Sequence, residues 1–334
     1  FEAVRAADQV APVLHVAEPV IAPSPVGPVE PDVVIVDGPP LPGEEDDLRP
    51  LGFAFADPWT GPAVFVAGVD ATSAGERGRV ERPCSMGALI SGLYPHVSGR
   101  WQETSVWVRV SGAGPSSRDE SAVLNGANTA LVETSAGWEV LQFLEAELVD
   151  VETYRLTGLL RGQQGSDDAM AAGAAPGSRI VFLTGAERRL DVADWERGLT
   201  RDWWVGRDSP AAGVWRSSLG VEARGGRAWS PCHLMGTWDG GDLSLGWIRR
   251  ARRGGDPWMA GEPPQEWPEA YRVRISGGVS VREWSVAEPA AIYPASHQAT
   301  DFPAGGVAYI EVAQLGGDGQ PGGWAGLELT IPVP

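Results

Sequence analysis

Three carboxylates, Asp194, Glu196 and Asp202, share one short stretch with the indoles of Trp195, Trp203 and Trp204. Indole rings stack on sugar rings, and carboxylates beside them accept from sugar hydroxyls, which makes Asp202, Trp203 and Trp204 candidate sugar contacts. Glycoside hydrolysis would require more, namely two carboxyl groups facing each other across a groove at roughly 5 Å or 6.5–9.5 Å. The same rings would equally serve a core or an interdomain contact, since each buries a large area wherever it sits. A second stretch with chemical character is Tyr154 to Asp167, YRLTGLLRGQQGSD. Arg161 is a permanent charge inside an apolar run, and it calls for backbone carbonyls or a buried carboxylate as partners. Gly158, Gly162 and Gly165 punctuate the run as a strand, a glycine turn and a further strand would.

Other chemistries lack their residues. The sequence has no GxSxG elbow, HExxH pair, P-loop or Cys–His nucleophile pattern, so no catalytic residue is expected. The four histidines (His15, His96, His233 and His297) sit singly without metal-ligand spacing, and neither metal nor cofactor is expected. Cys84 and Cys232 lie far apart and read as two unpaired buried thiols, with a single disulfide as the other option. The acidic run Glu44 to Asp47 lacks the ligand spacing of a calcium loop and reads as a solvated loop.

The elements that must position these residues are strands. Proline recurs through residues 1–31, which forbids helix and predicts an extended linker or connector. Asp32 to Asp37 is β-branched, LGFAFADPW begins another strand, and AVFVAGV reads as its partner. GRVERP, SMGALISGL and SVWVRV follow, with Trp107 alternating against Val106 and Val108 as a half-buried strand requires. Asn125 to Asn128 is a turn. EVLQFLEAELV has some helical periodicity, but its β-branching and turn spacing favour strands, and SRIVFL is a clear strand. From Trp229 onward about seven strands fit an immunoglobulin-like sandwich. The predicted class is all-β, as tandem sandwich or barrel-like domains. Residues 32–208 form the first domain, 209–228 a linker and 229–334 the last domain.

Length favours two or three domains. Hydrophobic content of 43% against 21% charged residues fits a folded chain, and 44 glycines with 28 prolines suit short strands and tight turns. All 26 basic residues are arginine, which reads as a bias of the source genome. A net charge of −18 argues against nucleic-acid binding and against an anionic membrane surface. No apolar run is long enough for a membrane span. Because Phe1 stands where an initiator methionine would, the chain reads as a segment of something longer or as processed.

Two resemblances add to this reading. GLLRGQQGSD resembles the LLRGQxGT signature of the tail-tip "host specificity" proteins of phages and gene transfer agents, in particular the megatron family. Leu160, Arg161, Gly162, Gln163 and Gly165 carry the likeness, and Ser166 stands where that family usually has Thr. RPLGFAFADPWTGPAVFVAG, LNGANTALVETSAGWEVLQFLEAELV, WIRRARRGGDPW and FPAGGVAYIEVAQL are similar to further parts of the family. The second resemblance is to the fibronectin type III core, through Trp247, Tyr271 with Val273, and Tyr309 with Val312. There a buried Trp faces a buried Tyr across sheets about 10 Å apart.

The tail-tip resemblance implies a non-enzymatic structural component of the distal tail in a virion or gene transfer agent particle. It implies a homotrimer about the tail axis that touches the tail hub, distal tail proteins and a host receptor or surface polysaccharide. It further implies a part in host attachment, envelope penetration and DNA delivery, without sequence-specific nucleic-acid recognition or a membrane span. The alternative is a carbohydrate-binding module, resting on the Trp-rich stretch. A generic secreted adhesin would explain the β-domains but not GLLRGQQGSD.

Overall fold

The computed structural model describes residues 29–41, 43–97, 101–206, 215–255 and 263–333. The Pro-rich segment expected as a linker lies outside the described residues up to residue 28. Strands β1 (Asp32–Val36) and β2 (Leu51–Phe55) pair antiparallel, and β3 (Ala63–Gly68) pairs with β4 (Gly75–Val80). Next come β5 (Ser85–Leu89), β6 (Trp101–Gln102), β7 (Val106–Ser111) and helix α1 (Glu120–Leu124). The chain continues through β8 (Thr129–Thr134), β9 (Gly137–Asp150), β10 (Thr153–Gln163), helix α2 (Asp167–Ala172) and β11 (Arg179–Phe182). β12 (Arg188–Arg189), β13 (Thr200–Gly206) and β14 (Trp215–Gly220) complete the first part.

In the order β10-β7-β5-β11-β8-β9 each strand pairs antiparallel with the next, and β9 pairs back onto β10. The result is a closed six-stranded barrel, and the protein is all-β. Closure leaves no free edge along these strands. Val106, Val108, Val132, Leu141, Phe143, Leu156, Ile180 and Phe182 fill the interior. Met86, Leu131, Val140 and Val181 point outward and are covered by residues of the sheets β1-β2-β12 and β14-β13-β3-β4, including Val33, Phe53, Phe65 and Trp203. Strands covered on both faces read as continuous apolar runs, whereas β7 alternates because nothing covers its outer side. Trp107 is accordingly 38% exposed between fully buried Val106 and Val108.

Two expectations change here. AVFVAGV does not pair with LGFAF: β2 lies between β1 and β12, while β3 lies between β4 and β13. Residues 215–228, expected as linker, supply edge strand β14 and a 3₁₀ turn at Arg224–Gly226, with Val221, Ala223 and Ala228 buried. The expected turn is present at residues 125–128, where Asn125 also caps helix α1, and Asp119 caps the other end by accepting from the Ala122 amide. Cys84 and Cys232 are both free thiols. Burial pushes the Cys84 thiol up to about 11.

The second part holds β15 (Cys232–Asp239), β16 (Asp242–Ile248), β17 (Tyr271–Ser276), β18 (Arg282–Val286), β19 (Ala290–Tyr293), helix α3 (Ala295–Asp301), β20 (Gly306–Leu315) and β21 (Pro321–Ile331). Its sheets run β15-β16-β19 and β18-β17-β20-β21 and enclose a shared core. Trp247 meets Tyr271 edge-on at 5.1 Å between ring centroids, with Val273 and Val312 buried around them. The fifth expected core residue, Tyr309, is instead 51% exposed. Side chains alternate along a strand, so Tyr309 and Val312, three residues apart, cannot both face inward; Ala308, Ile310 and Val312 take that side. Trp247→Ala should therefore cost about 3–5 kcal/mol, and Tyr309→Ala no more than about 0.5 kcal/mol. Urea unfolding checks both, and equal losses would refute the assigned parity.

At one end of the sandwich, the buried Asp301 carboxylate accepts from Arg282 at 2.6 and 3.1 Å, from Tyr293 Oη at 2.8 Å and from Ser280 Oγ at 2.9 Å. The Arg282 hydrogen bonds hold its pKa below the ordinary aspartate range against the upward push of burial. A carboxylate depressed by folding contributes stability that is fully present above its unfolded value of about 3.9. That contribution is lost as pH falls through the folded value. Asp301→Asn should thus cost about 2–3 kcal/mol at neutral pH, and the gap to the natural chain should narrow below about pH 4. A gap that stays constant into acid would assign the cost to packing.

Candidate functional site

The signature stretch forms most of β10, which is one continuous strand rather than two strands about a turn. Between Leu160 and Gln163 the register against β9 slips, with Leu160 opposite Gln142 and Gln163 opposite Val140. One extra residue is therefore inserted, and Gly162 takes up the left-handed conformation at φ 63° that such a bulge demands. A Cβ at Gly162 would also fall 2.7 Å from Met170 Cε of α2. The inward parity of Leu159 carries over to Arg161, which points into the end of the barrel.

There Arg161 finds both kinds of partner that its isolation demanded. Its Nε and Nη2 donate to Glu139 Oε1 and Oε2 at 2.7 and 2.6 Å, and its Nη1 donates to the Tyr94 carbonyl at 2.6 Å. The Gly162 amide adds a 3.3 Å bond to Glu139 Oε1. Arg161 and Glu139 side chains are 2% and 0% exposed. Two-pronged pairing with further donors is the arrangement in which a buried charge pair can offset its desolvation. Glu139 escaped the sequence reading, although it is the charge at inward parity with Leu141 and Phe143 on β9.

Beyond the bulge, Gln164 and Gly165 are both left-handed, at φ 54° and 74°, and the Ser166 amide closes the turn on the Gln163 carbonyl. Gln163 Nε2 donates to the Arg161 carbonyl, while Ser166 Oγ donates to the Gln163 carbonyl and accepts from the Val140 amide. The hydroxyl is what this position uses. The turn then meets the sandwich. A Cβ on Gly165 would lie 2.2 Å from Trp229 Cδ1, so the indole rests directly on the glycine. Arg250 stacks on the same ring at 5.0 Å and donates to Asp167 at 2.7 Å. Arg252, 8% exposed, donates to the carbonyls of Glu45 and Gly225 and to Glu266, and Arg253 pairs with Asp46. The acidic run is an exposed loop, as expected, and it also anchors arginines, with Glu44 bound to Arg189 as well.

The Trp-rich stretch does not form a sugar platform. Trp203 is 1% exposed within the core between barrel and outer sheets, and Trp204 is buried beside Val64 and Val66. Asp202 accepts from Ser218 Oγ. Glu196 is gripped by Arg77 through two 2.8 Å bonds. Burial pushes its carboxyl up, but the Arg77 and Ala193 hydrogen bonds leave it below the ordinary range. Trp195 is 72% exposed, with Arg201 over its ring. Alternation on β13 puts adjacent Trp203 and Trp204 on opposite faces, and both rings are buried. Among the described residues, no group of three His, Cys, Asp or Glu side chains is placed to hold a metal ion, and no helix is long and apolar enough to cross a membrane.

Residues 84–181 match the family model described as Rcc01698-like, C-terminal. The name comes from the gene transfer agent locus of Rhodobacter capsulatus, so this stretch is similar to a family associated with gene transfer agents. The match begins one residue before β5 and ends within β11, and so spans all six barrel strands, the bulge and Glu139. No curated protein matches the chain.

Proposed function

We propose that the chain is a structural, non-enzymatic part of the distal tail tip of a gene transfer agent or related phage particle. The observation that carries this reading is the coincidence of the family match with the complete barrel, whose closing strand holds the signature bulge. The signature's own residues support a scaffold, because Arg161, Gly162, Gly165 and Ser166 spend their groups on internal bonds and packing. Rigid closed β-units joined by buried contacts suit a tip that must transmit contact with a host to the tail above it. In this reading the last domain is a fibronectin type III-like sandwich. The protein assembles as a trimer about the tail axis beneath the hub and meets a host receptor or polysaccharide. The net charge of −18 suits a path along which DNA slides without adhering, since like charge suppresses phosphate contacts.

Immunogold labelling of purified particles from a producing strain tests the assignment. Label at the distal tail end is expected; label on the capsid, or none on particles, would overturn it. The carbohydrate-module alternative loses its support at Trp203 and Trp204, which are buried.

A further inference from the structure

Between barrel and sandwich lies a cleft of about 380 Å³, within the ~300–1,000 Å³ range of small-molecule sites. Its floor is the outer face of three barrel strands, where Thr129, Gln142 and Leu160 stand side by side in register. Asn125 at the end of α1, Gln163 and Gln164 of the signature, Trp229 and Arg252 line its walls.

The hydrogen bonds of these groups give the cleft a definite polarity. Gln142 Nε2 donates to the carbonyls of Val123 and Ala127 at 2.6 and 2.9 Å. Asn125 Nδ2 donates to the Ser121 carbonyl, Gln163 Nε2 to the Arg161 carbonyl and Thr129 Oγ1 to the Gly126 carbonyl. The amide nitrogens of Asn125, Gln142 and Gln163 each face a carbonyl, which fixes the orientation of these three carboxamides. A carboxamide whose nitrogen faces the chain turns its oxygen to the other side. The lining therefore offers acceptors in the side-chain oxygens of Asn125, Gln142 and Gln163 and the remaining lone pairs of Thr129. Trp229 and Arg252 complete the lining, with the Trp229 Nε1–H buried against Gly165 and the Arg252 guanidinium bonded to Glu266 and to the Glu45 and Gly225 carbonyls.

We propose that this cleft binds a neutral saccharide unit, whose hydroxyls donate to the amide oxygens of Asn125, Gln142 and Gln163 while its carbon skeleton rests against Leu160 and the edge of Trp229. Arg252 on the wall disfavours an ammonium ligand, and Glu45 at the rim together with the acceptor floor disfavours an anion. A neutral ligand rich in hydroxyl donors satisfies both constraints. This binding stands on the chemistry of the cleft and not on where in a particle the chain sits.

Saturation-transfer NMR of the 334-residue chain against glucose, galactose, mannose and N-acetylglucosamine tests it, with choline and inorganic phosphate as charged controls. The expected result is transfer to at least one sugar and to neither control. Transfer should fall about tenfold or more in Asn125→Ala and in Gln163→Met, each measured well below its own melting temperature. Leu160→Trp, which fills the floor, supplies a further variant should Gln163→Met melt early. Absence of transfer to all four sugars, preference for choline or phosphate, or sugar binding that survives Asn125→Ala and Leu160→Trp would overturn the proposal. Failure here would leave the labelling experiment on particles unaffected.

Discussion

Glu139→Leu is expected to destabilise the barrel by about 3–5 kcal/mol, because it strands the Arg161 guanidinium inside a closed sheet. The lost carboxylate removes three bonds at once, two from Arg161 and one from the Gly162 amide, and leaves the Tyr94 carbonyl as the remaining listener to the charge. Water cannot take over, since both side chains are almost fully buried. Arg161→Met should cost a similar amount for the mirror-image reason, an uncompensated carboxylate. The double variant discriminates a charge pair from two independent packing losses. If the pair is the unit, the double variant should be more stable than the sum of the singles by about 2–3 kcal/mol. Urea unfolding of the four proteins gives that number, and strict additivity would show that the two groups do not sense one another.

How much of this was readable beforehand depends on what covers each strand. The strand character of EVLQFLEAELV is recoverable because Leu141 and Phe143 face the barrel interior while Val140 faces a covering layer and Gln142 the cleft, so an apolar run arises without helical spacing. Arg161 announced itself as a charge in an apolar run, and its need for a partner was legible; the partner was not, because Glu139 sits across a hairpin whose register only the bulge determines. The closure of the barrel was likewise invisible, since pairing β9 to β10 on one side and to β8 on the other is a property of the whole sheet. Trp203 and Trp204 misled because an indole looks the same in a sequence whether it meets a sugar or a neighbouring sheet. Tyr309 was a parity error that the alternation of Ala308, Ile310 and Val312 would have exposed.

Gly165→Val is expected to separate the two halves of the protein. At φ 74° a β-branched residue is strained before any contact is counted, and its Cβ would lie 2.2 Å from Trp229 Cδ1. The turn cannot yield toward the barrel, where Ser166 is held by Val140 and Gln163. The indole must therefore move, and it carries Arg250 and the Arg250–Asp167 pair with it. Calorimetry should then resolve two melting transitions, one for the barrel with its outer sheets and one for the sandwich. The natural chain, with Arg252 donating into Glu45 and Gly225 across the junction, should melt with the two halves coupled. Trp229→Ala in the same background removes the ring but not the backbone strain, so it should restore part of the lost barrel stability without restoring coupling. A Gly165→Val protein that melts as one unit, at the temperature of the natural chain, would mean that Trp229 does not bind the sandwich to the signature turn.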